Sequence, residues 1–483
     1  MPDLNEANVR HLLRRTEFVD RPDRVAELLG AGSIAAAVDN VMAVASNPPS
    51  ASFDGVPADE NWRRGVRLSE HWMDQMANAA RPFGERMAFF WHGHICSELG
   101  KVGAATEMQK QIDLFRRTGV NSDISTLIKT AAIQVAMLKY LDNDQNRASS
   151  PNQNFARELM ELFLLGVGNY TEADVEAATA AWTGHGRPNW DVDEYRFEPS
   201  EHETAPQSFL GRTVNTGAPV DGGNQTIDVI LGNGIVPSGA DKNAGAQTRD
   251  VAADFLSKKL WQEFGEAASG GVPDDVGAAM RSALVDSAFD IRPWVRAMLT
   301  HDRFYTDATK NGLVRQPVSY VVALLYATGL SAQDGSQTWL MERAGQRLLY
   351  PPNVSGWKPN GYWVNASAMG ARQEMASNML WLLRRDTWDG DDGYVDVGQN
   401  RERITKLESD GRWRDGTYTE PIDSDELFDR LVSGLQLDVS AEVRDRILDY
   451  LEFLDGRPED DVGPWQRLDA MFLLLSAPEM HIA

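Results

Sequence analysis

The chain has 483 residues, more than the roughly 250–300 at which one hydrophobic core usually stops growing, so two or more lobes are expected. Its 47 Lys and Arg against 71 Asp and Glu give a net charge of −24, which repels phosphate backbones and disfavours a nucleic-acid partner. The single cysteine, Cys96, excludes an internal disulfide and any zinc site built from several cysteines.

Residues 1–183 are expected to form an N-terminal helical lobe. Thr171, with Asp174 three residues later, predicts the start of a capped helix that runs to about Trp182. Apolar periodicity predicts the other helices of this lobe: two short ones in 5–29, then 60–80, 83–92, 106–119, 125–141 and 155–166.

The rest of the chain divides by composition. Residues 184–247 are rich in Gly, Pro, Asn and Asp and predict a loop-rich insert with short strands, a natural place for a binding surface. Residues 248–385 predict a second helical lobe, and 386–483 an acidic linker, centred on 386–399, followed by C-terminal helices. Strand signals are sparse, so the predicted class is mainly α: a large multi-helix globular protein with long loops and a few short strands.

Location is left open by the sequence. The longest apolar segments, such as 320–330, are too short to span a bilayer, which predicts no membrane span. The first residues contain no apolar stretch of signal-peptide length. We therefore expect a soluble protein, either cytoplasmic or a mature form whose leader has been removed.

The segment 151–168, PNQNFARELMELFLLGVG, predicts an unusually apolar helix that carries carboxylates. On a helical wheel its large apolar residues cover most of the circle, and Arg157, Glu158 and Glu161 share the remaining arc. Buried carboxylates need cations, hydrogen bonds or protonation. Arg157 is the expected partner of Glu161 at i, i+4, which leaves Glu158 for a metal ion or a histidine.

The segment 90–98, FWHGHICSE, contains His92 and His94 beside Cys96. On a regular α-helix, residues i and i+2 point about 200° apart and could not share one ion. An extended or helix-terminal segment would place both imidazoles on one side, and Gly93 permits such a break.

Several motifs, in one order, resemble the bacterial domain-of-unknown-function 1800 family over nearly the whole chain. They are WHGH, YLDNDQN, PNQNFARELMELFLLGVGNYTEADV, FEPSEHETAPQSFLG and GQRLLYPPNVSGW. Here Gly93 replaces the usual Asn, and Gln153 replaces a usual Glu. The resemblance implies an exported protein whose gene neighbours a second uncharacterised family similar to sulfatases; it implies no activity.

Together these features suggest a metal-dependent enzyme, hydrolytic or oxidative. The expected ligands of a divalent transition metal (Fe, Mn or Zn) are His92, His94, Glu158 and His202. Glu161 is the expected catalytic base, or an acceptor that orients a ligand. The competing interpretations are that the histidines end a helix, that Glu158 and Glu161 pair with Arg157 and Arg86, and that His202 is solvated.

The segment 351–363, PPNVSGWKPNGYW, supports a second class of function. Its rigid, aromatic character suggests a binding groove in which a ligand stacks on Trp357, Tyr362 or Trp363; the alternative is a packed structural clasp. The chain would then be a non-catalytic binding or assembly protein. Its expected partners are an unknown small molecule, a glycan or a peptide, or a protein encoded by a neighbouring gene.

Overall fold

A computed structural model describes residues 2–189, 192–266, 271–333, 338–358, 360–385, 424–435, 437, 439–455 and 464–482. The predicted linker at 386–399 lies outside these residues. Within them the protein is mainly α-helical, which confirms the predicted class.

The described helices lie in three stretches of the chain. The first stretch holds α1 Glu6–Glu17, α2 Pro22–Leu29, α3 Ile34–Val41, α4 Asn61–Asn78, α5 Phe83–His94, α6 Leu99–Val102, α7 Ala105–Thr118, α8 Ile124–Ala132, α9 Val135–Tyr140, α10 Asn154–Glu158 and α11 Glu172–Ala181. The second holds α12 Gly222–Leu231, α13 Thr248–Phe264, α14 Asp274–Asp286, α15 Ile291–Leu299, α16 Asp307–Lys310, α17 Pro317–Thr328, α18 Thr338–Arg343 and α19 Ala366–Arg385. The third holds α20 Ser424–Leu435, α21 Ala441–Asp455 and α22 Pro464–Leu475.

Four short strands form two antiparallel pairs, both in the predicted loop-rich insert. β1 His185–Gly186 pairs with β2 Arg196–Phe197, and β3 Gln207–Phe209 pairs with β4 Arg212–Val214. The insert also contains α12, which its turn-rich composition did not indicate.

Most predicted helices of the first 183 residues are confirmed to within a few residues. The capping box at Thr171 is present, with Thr171 and Asp174 each bonding the other's backbone N–H. The prediction of one helix over 125–141 is wrong, because the chain breaks into α8 and α9 at Ile133 and Gln134. The prediction of a regular helix over 155–166 is also wrong, because α10 passes into a π-helical turn at Leu159–Leu164.

The buried apolar side chains form one contiguous cluster that runs from Val9 to Met480. Helix α17, buried along its whole length, packs against both α4 and α19, and α13 packs against α5. The end of α5 and the segment 351–363 lie side by side, with Gly356 against Gly93 and Trp357 against His92. None of the described helices is long and apolar enough to cross a membrane.

Candidate functional site

Helix α5 continues without a break through Gly93 to His94. A shared metal role for His92 and His94 needs a non-helical turn at Gly93, because i and i+2 side chains on a helix point to different sides. The two imidazoles do have different neighbours: His92 contacts Trp72 and Trp357, whereas His94 contacts Phe163 and Phe255.

His92 is fully buried among aromatic rings. Its ring centroid lies 5.7 Å from that of Trp72 and 5.5 Å from that of Trp357, both edge-on. Neither ring nitrogen has a hydrogen-bond partner among the described residues. Burial lowers the pKa of His92 to about 4, so the ring is neutral at physiological pH.

His94 has a structural hydrogen bond. Its Nε2 donates to the carbonyl oxygen of Phe163 at 2.9 Å, close to the end of the π-helical turn, where backbone carbonyls lack partners within the helix. The bond fixes the tautomer and leaves Nδ1 as the acceptor of the neutral ring. Burial, with a smaller effect of Lys259, lowers the pKa of His94 to about 3.

The two carboxylates of the apolar helix are half-buried, and neither pairs with an arginine in the described part of the chain. The expected Arg157–Glu161 ion pair is absent, since Arg157 donates to Gln153 (3.1 Å) and Glu172 (2.6 Å). Glu161 instead accepts a hydrogen bond of 2.7 Å from a tyrosine hydroxyl, that of Tyr170.

The surroundings of Glu158 perturb its carboxyl group. Burial, and then the neighbouring Glu161, raise the pKa of its carboxyl above the usual range. The expected contact with Arg86 is also absent, because Arg86 pairs with Glu263 at 2.7 Å.

His202 is buried rather than solvated. Its Nδ1 lies 2.8 Å from the carbonyl oxygen of Thr183, and its Nε2 lies 2.9 Å from Oδ1 of Asn215. The Asn215 amide donates from Nδ2 to the carbonyls of Glu203 and Ala205, which fixes Oδ1 toward the ring. Both nitrogens of His202 therefore face oxygen atoms, that of Thr183 just before the insert and that of Asn215 within it.

The structure thus brings only two of the predicted metal-site segments together, through the backbone bond of His94 to the π-helical turn. Over the described residues, no group of three or more His, Cys, Asp and Glu side chains is arranged to hold a metal ion. Metal binding by His92, His94, Glu158 and His202 remains a prediction of the sequence.

The segment 351–363 packs directly onto the end of α5. At Gly356, where φ is +75°, a Cβ atom would lie 2.1 Å from the carbonyl oxygen of Gly93, so only glycine fits this approach. That carbonyl also accepts a bond of 3.2 Å from the buried thiol of Cys96. Trp357 then covers His92 and lies 6.1 Å from the ring of Phe89. These packed contacts are of the kind expected for a structural clasp.

Beside this contact lies a cavity of about 100 Å³, which we call the aromatic cleft. It is bounded by the end of α5, by one face of α13 and by the loop. Aromatic rings and polar groups alternate around it: Phe89, Phe90, Gly93, His94, Lys259, Gln262, Glu263, Gln316, Ser355, Trp357, Lys358 and Trp363.

Two polar groups in the aromatic cleft are held in unusual states. Burial lowers the pKa of Lys259 below its ordinary value, and its ammonium lies 5.4 Å from the centroid of the Phe255 ring. Trp363 is 1% exposed, and its indole Nε1 has no acceptor among the described residues. Of the three rings suggested for stacking, Trp357 and Trp363 line the cleft, and Tyr362, 53% exposed, does not.

The residues that α13 contributes to the cleft were not identified from the sequence. Lys259, Gln262 and Glu263 have the i, i+3, i+4 spacing of one helix face, which was the available signal. A polar stripe of this kind ordinarily faces solvent. Nothing in the local sequence indicates that the segment 351–363, which we call the aromatic loop, covers it.

Comparison with known proteins gives the family alone. The model of the family described as "Protein of unknown function (DUF1800)" matches residues 11–482, so the chain belongs to that family. Neither the curated proteins nor the solved structures include a significant match to it.

Proposed function

We propose that this member of the DUF1800 family is a binding protein that takes a small polar ligand, a glycan unit or a peptide end, in the aromatic cleft. The observation that carries the proposal is the convergence of two sequence features on one cavity. The end of α5 and the aromatic loop, about 260 residues apart in sequence, both line this cavity, and α13 contributes the half-buried ammonium of Lys259.

The chemistry of the walls favours a ligand that has an apolar face and several hydroxyl or amide groups. Trp357 offers an indole surface for stacking, and Nδ1 of His94 offers an acceptor. Lys259 offers a donor, as do the amides of Gln262 and Gln316. A small-molecule site usually combines aromatic walls with placed polar groups, and the cleft contains both.

The test uses adjacent lysines of α13 as a matched pair. Lys259 lines the cleft, whereas Lys258 is exposed and does not line it. A panel of N-acetylated and neutral mono- and disaccharides and of tripeptides is screened by thermal shift, and each stabilising compound is titrated by calorimetry.

We expect K259Q to weaken binding about tenfold or more, because a desolvated charge-assisted hydrogen bond is lost. K258Q should match wild type within about twofold, since an exposed charge distant from the ligand contributes little. Equal affinities for the two variants, or no response to the panel, would reject the proposal.

A second candidate is the metal-dependent enzyme, and one observation favours it. A fully buried imidazole with both nitrogens unpartnered, as at His92, is costly unless a group binds it. In that case His92 would act as a ligand of Fe, Mn or Zn together with His94, Glu158 and His202, and Glu161 would act as base. The two indole rings around His92 offer a competing explanation, because their π faces accept weak N–H contacts.

Elemental mass spectrometry of untagged protein separates the two candidates. Near-stoichiometric metal in wild type, lost in a folded His92→Phe variant, would favour the enzyme. Metal below about a tenth of an equivalent after incubation with Fe(II), Mn(II) or Zn(II) would remove it and leave the binding proposal in place.

A further inference from the structure

A second cavity lies behind the aromatic cleft and has a different character. It occupies about 30 Å³ between the last turn of α1, the start of α5, the end of α13 and the segment that enters α17. Four arginines and a single carboxylate line it; the arginines are Arg14, Arg15, Arg86 and Arg315, and the carboxylate is that of Glu263. We call it the arginine cavity.

Arg15 is the least satisfied of the four arginines. It is 1% exposed, and its Nη2 donates to the backbone carbonyls of Thr309 and Lys310. Its Nε and Nη1 have no partner among the described residues. A buried guanidinium without a carboxylate partner costs several kcal/mol, which makes its position unusual.

The surrounding charges do not compensate for it. Glu263 is engaged by Arg86 at 2.7 Å, and Asp20 is engaged by Arg14 at 3.1 Å. Arg315, 5% exposed, has no carboxylate within 4 Å in the described part of the chain, and Met480 Sδ accepts from it at 3.4 Å.

Burial and mutual repulsion act on both unpaired groups. They lower the pKa of Arg15 to about 9 and that of Arg315 to about 10, so both stay charged at neutral pH. The chain as a whole has a net charge of −24, but this cavity has a local excess of buried positive charge. A bound anion would neutralise that excess.

We propose that the arginine cavity binds a small oxyanion, the carboxylate or phosphate end of a ligand. Its volume accommodates about two water-sized oxygen atoms, which is the size of a carboxylate or of one edge of a phosphate. The planar donor fork of arginine matches both groups. A neighbouring cavity of about 110 Å³ shares Arg14 and Arg315 and gives room for the body of the ligand. This proposal does not depend on the function assigned to the aromatic cleft.

Helix α1 provides a matched pair of variants. Arg10 and Arg14 are each 26% exposed at the side chain, and both bond Oδ2 of Asp20, but only Arg14 lines the arginine cavity. The full-length protein is titrated by calorimetry with inorganic phosphate and, separately, with acetate at constant ionic strength. We expect binding of at least one ion, about tenfold or more weaker in R14Q and within about twofold of wild type in R10Q.

The two ions separate the two sources of the anion. Binding of phosphate alone assigns a phosphate end to the ligand, binding of acetate alone assigns a carboxylate, and either result supports the site. A parallel thermal-shift series with sodium chloride controls for general stabilisation by salt. The proposal is overturned if neither ion binds or if R14Q and R10Q weaken binding equally. It is also overturned if sodium chloride raises the melting temperature as much as phosphate or acetate does.

Discussion

The metal site predicted from the sequence depends on three histidines, His92, His94 and His202. Their surroundings in the structure differ. His202 lies in a closed hydrogen-bond network with Thr183 and Asn215, and His94 holds a backbone carbonyl of the π-helical turn. His92 alone has no polar partner among the described residues. Residue identity could not reveal these differences, because each partner lies at least 13 positions away in sequence.

The network around His202 gives a prediction at the residue scale. His202→Ala removes the buried ring that contacts the Thr183 carbonyl and the Asn215 amide oxygen, so we expect the free energy of unfolding to fall by about 2–3 kcal/mol. Urea denaturation followed by circular dichroism measures the loss. His71→Ala, which removes a bond near the surface, is the control and should change stability by about 0.5 kcal/mol or less. A loss for His202→Ala no larger than that of the control would contradict the structural role.

At the scale of elements, the decisive contact joins the end of α5 to the aromatic loop. Gly93 lies inside the helix, and a Cβ atom there would meet only Trp357 Cε3 at 3.8 Å, an ordinary contact. Gly356 faces it with a positive φ and no room for a Cβ atom. Position 93 therefore has room for a Cβ atom, whereas position 356 requires glycine.

Two substitutions test this asymmetry. We expect G93A to leave stability unchanged or to raise it by up to about 1 kcal/mol, because alanine favours a helix interior over glycine. We expect G356A to lower it by about 3 kcal/mol or more, through the clash with the Gly93 carbonyl and the strained backbone. Thermal and urea unfolding of both variants provide the measurement. A large loss in G93A would show that Gly93 is not helical and would revive a shared metal role for His92 and His94.

Periodicity predicted the helices well and their interruptions poorly. The apolar spacing predicted helices over 60–80 and 106–119, and α4 and α7 occupy Asn61–Asn78 and Ala105–Thr118. The π-helical turn at Leu159–Leu164 has no local signal in the sequence, and the Phe163 carbonyl within it accepts a hydrogen bond from His94, which lies on α5. The regular helical wheel therefore does not apply beyond Glu158. The Arg157–Glu161 pair was expected from that wheel and does not form; Arg157 donates to Glu172 instead.

For the whole molecule, burial of neutral histidines implies sensitivity to acid. His92 and His185 have a pKa of about 4, and His94 of about 3, all lowered chiefly by burial from an ordinary value of 6.5. As the pH falls below about 6.5, these histidines therefore bind protons in the unfolded chain before they bind them in the folded protein. Their contribution to stability is complete above that pH and is lost progressively toward pH 4.

We expect each of these histidines to reduce the free energy of unfolding by about 2 kcal/mol between pH 7 and pH 5. Urea denaturation at the two pH values measures the sum. His92→Phe keeps an aromatic ring between the two tryptophans and removes one titrating group, so its loss between the two pH values should be smaller than that of wild type by about 2 kcal/mol. An identical pH dependence would show that His92 is not buried as a neutral base.

The central claim, that the aromatic cleft binds a ligand, is tested most directly by nuclear magnetic resonance of the tryptophan indole N–H groups. The probes are the disaccharide and tripeptide panel, and W363F assigns the resonance of Trp363. We predict that a binding compound shifts the Trp363 and Trp357 signals and leaves those of Trp182 and Trp261, which lie outside the cleft, unchanged. Shifts confined to tryptophans outside the cleft, or no shift with any probe at millimolar concentration, would contradict the account.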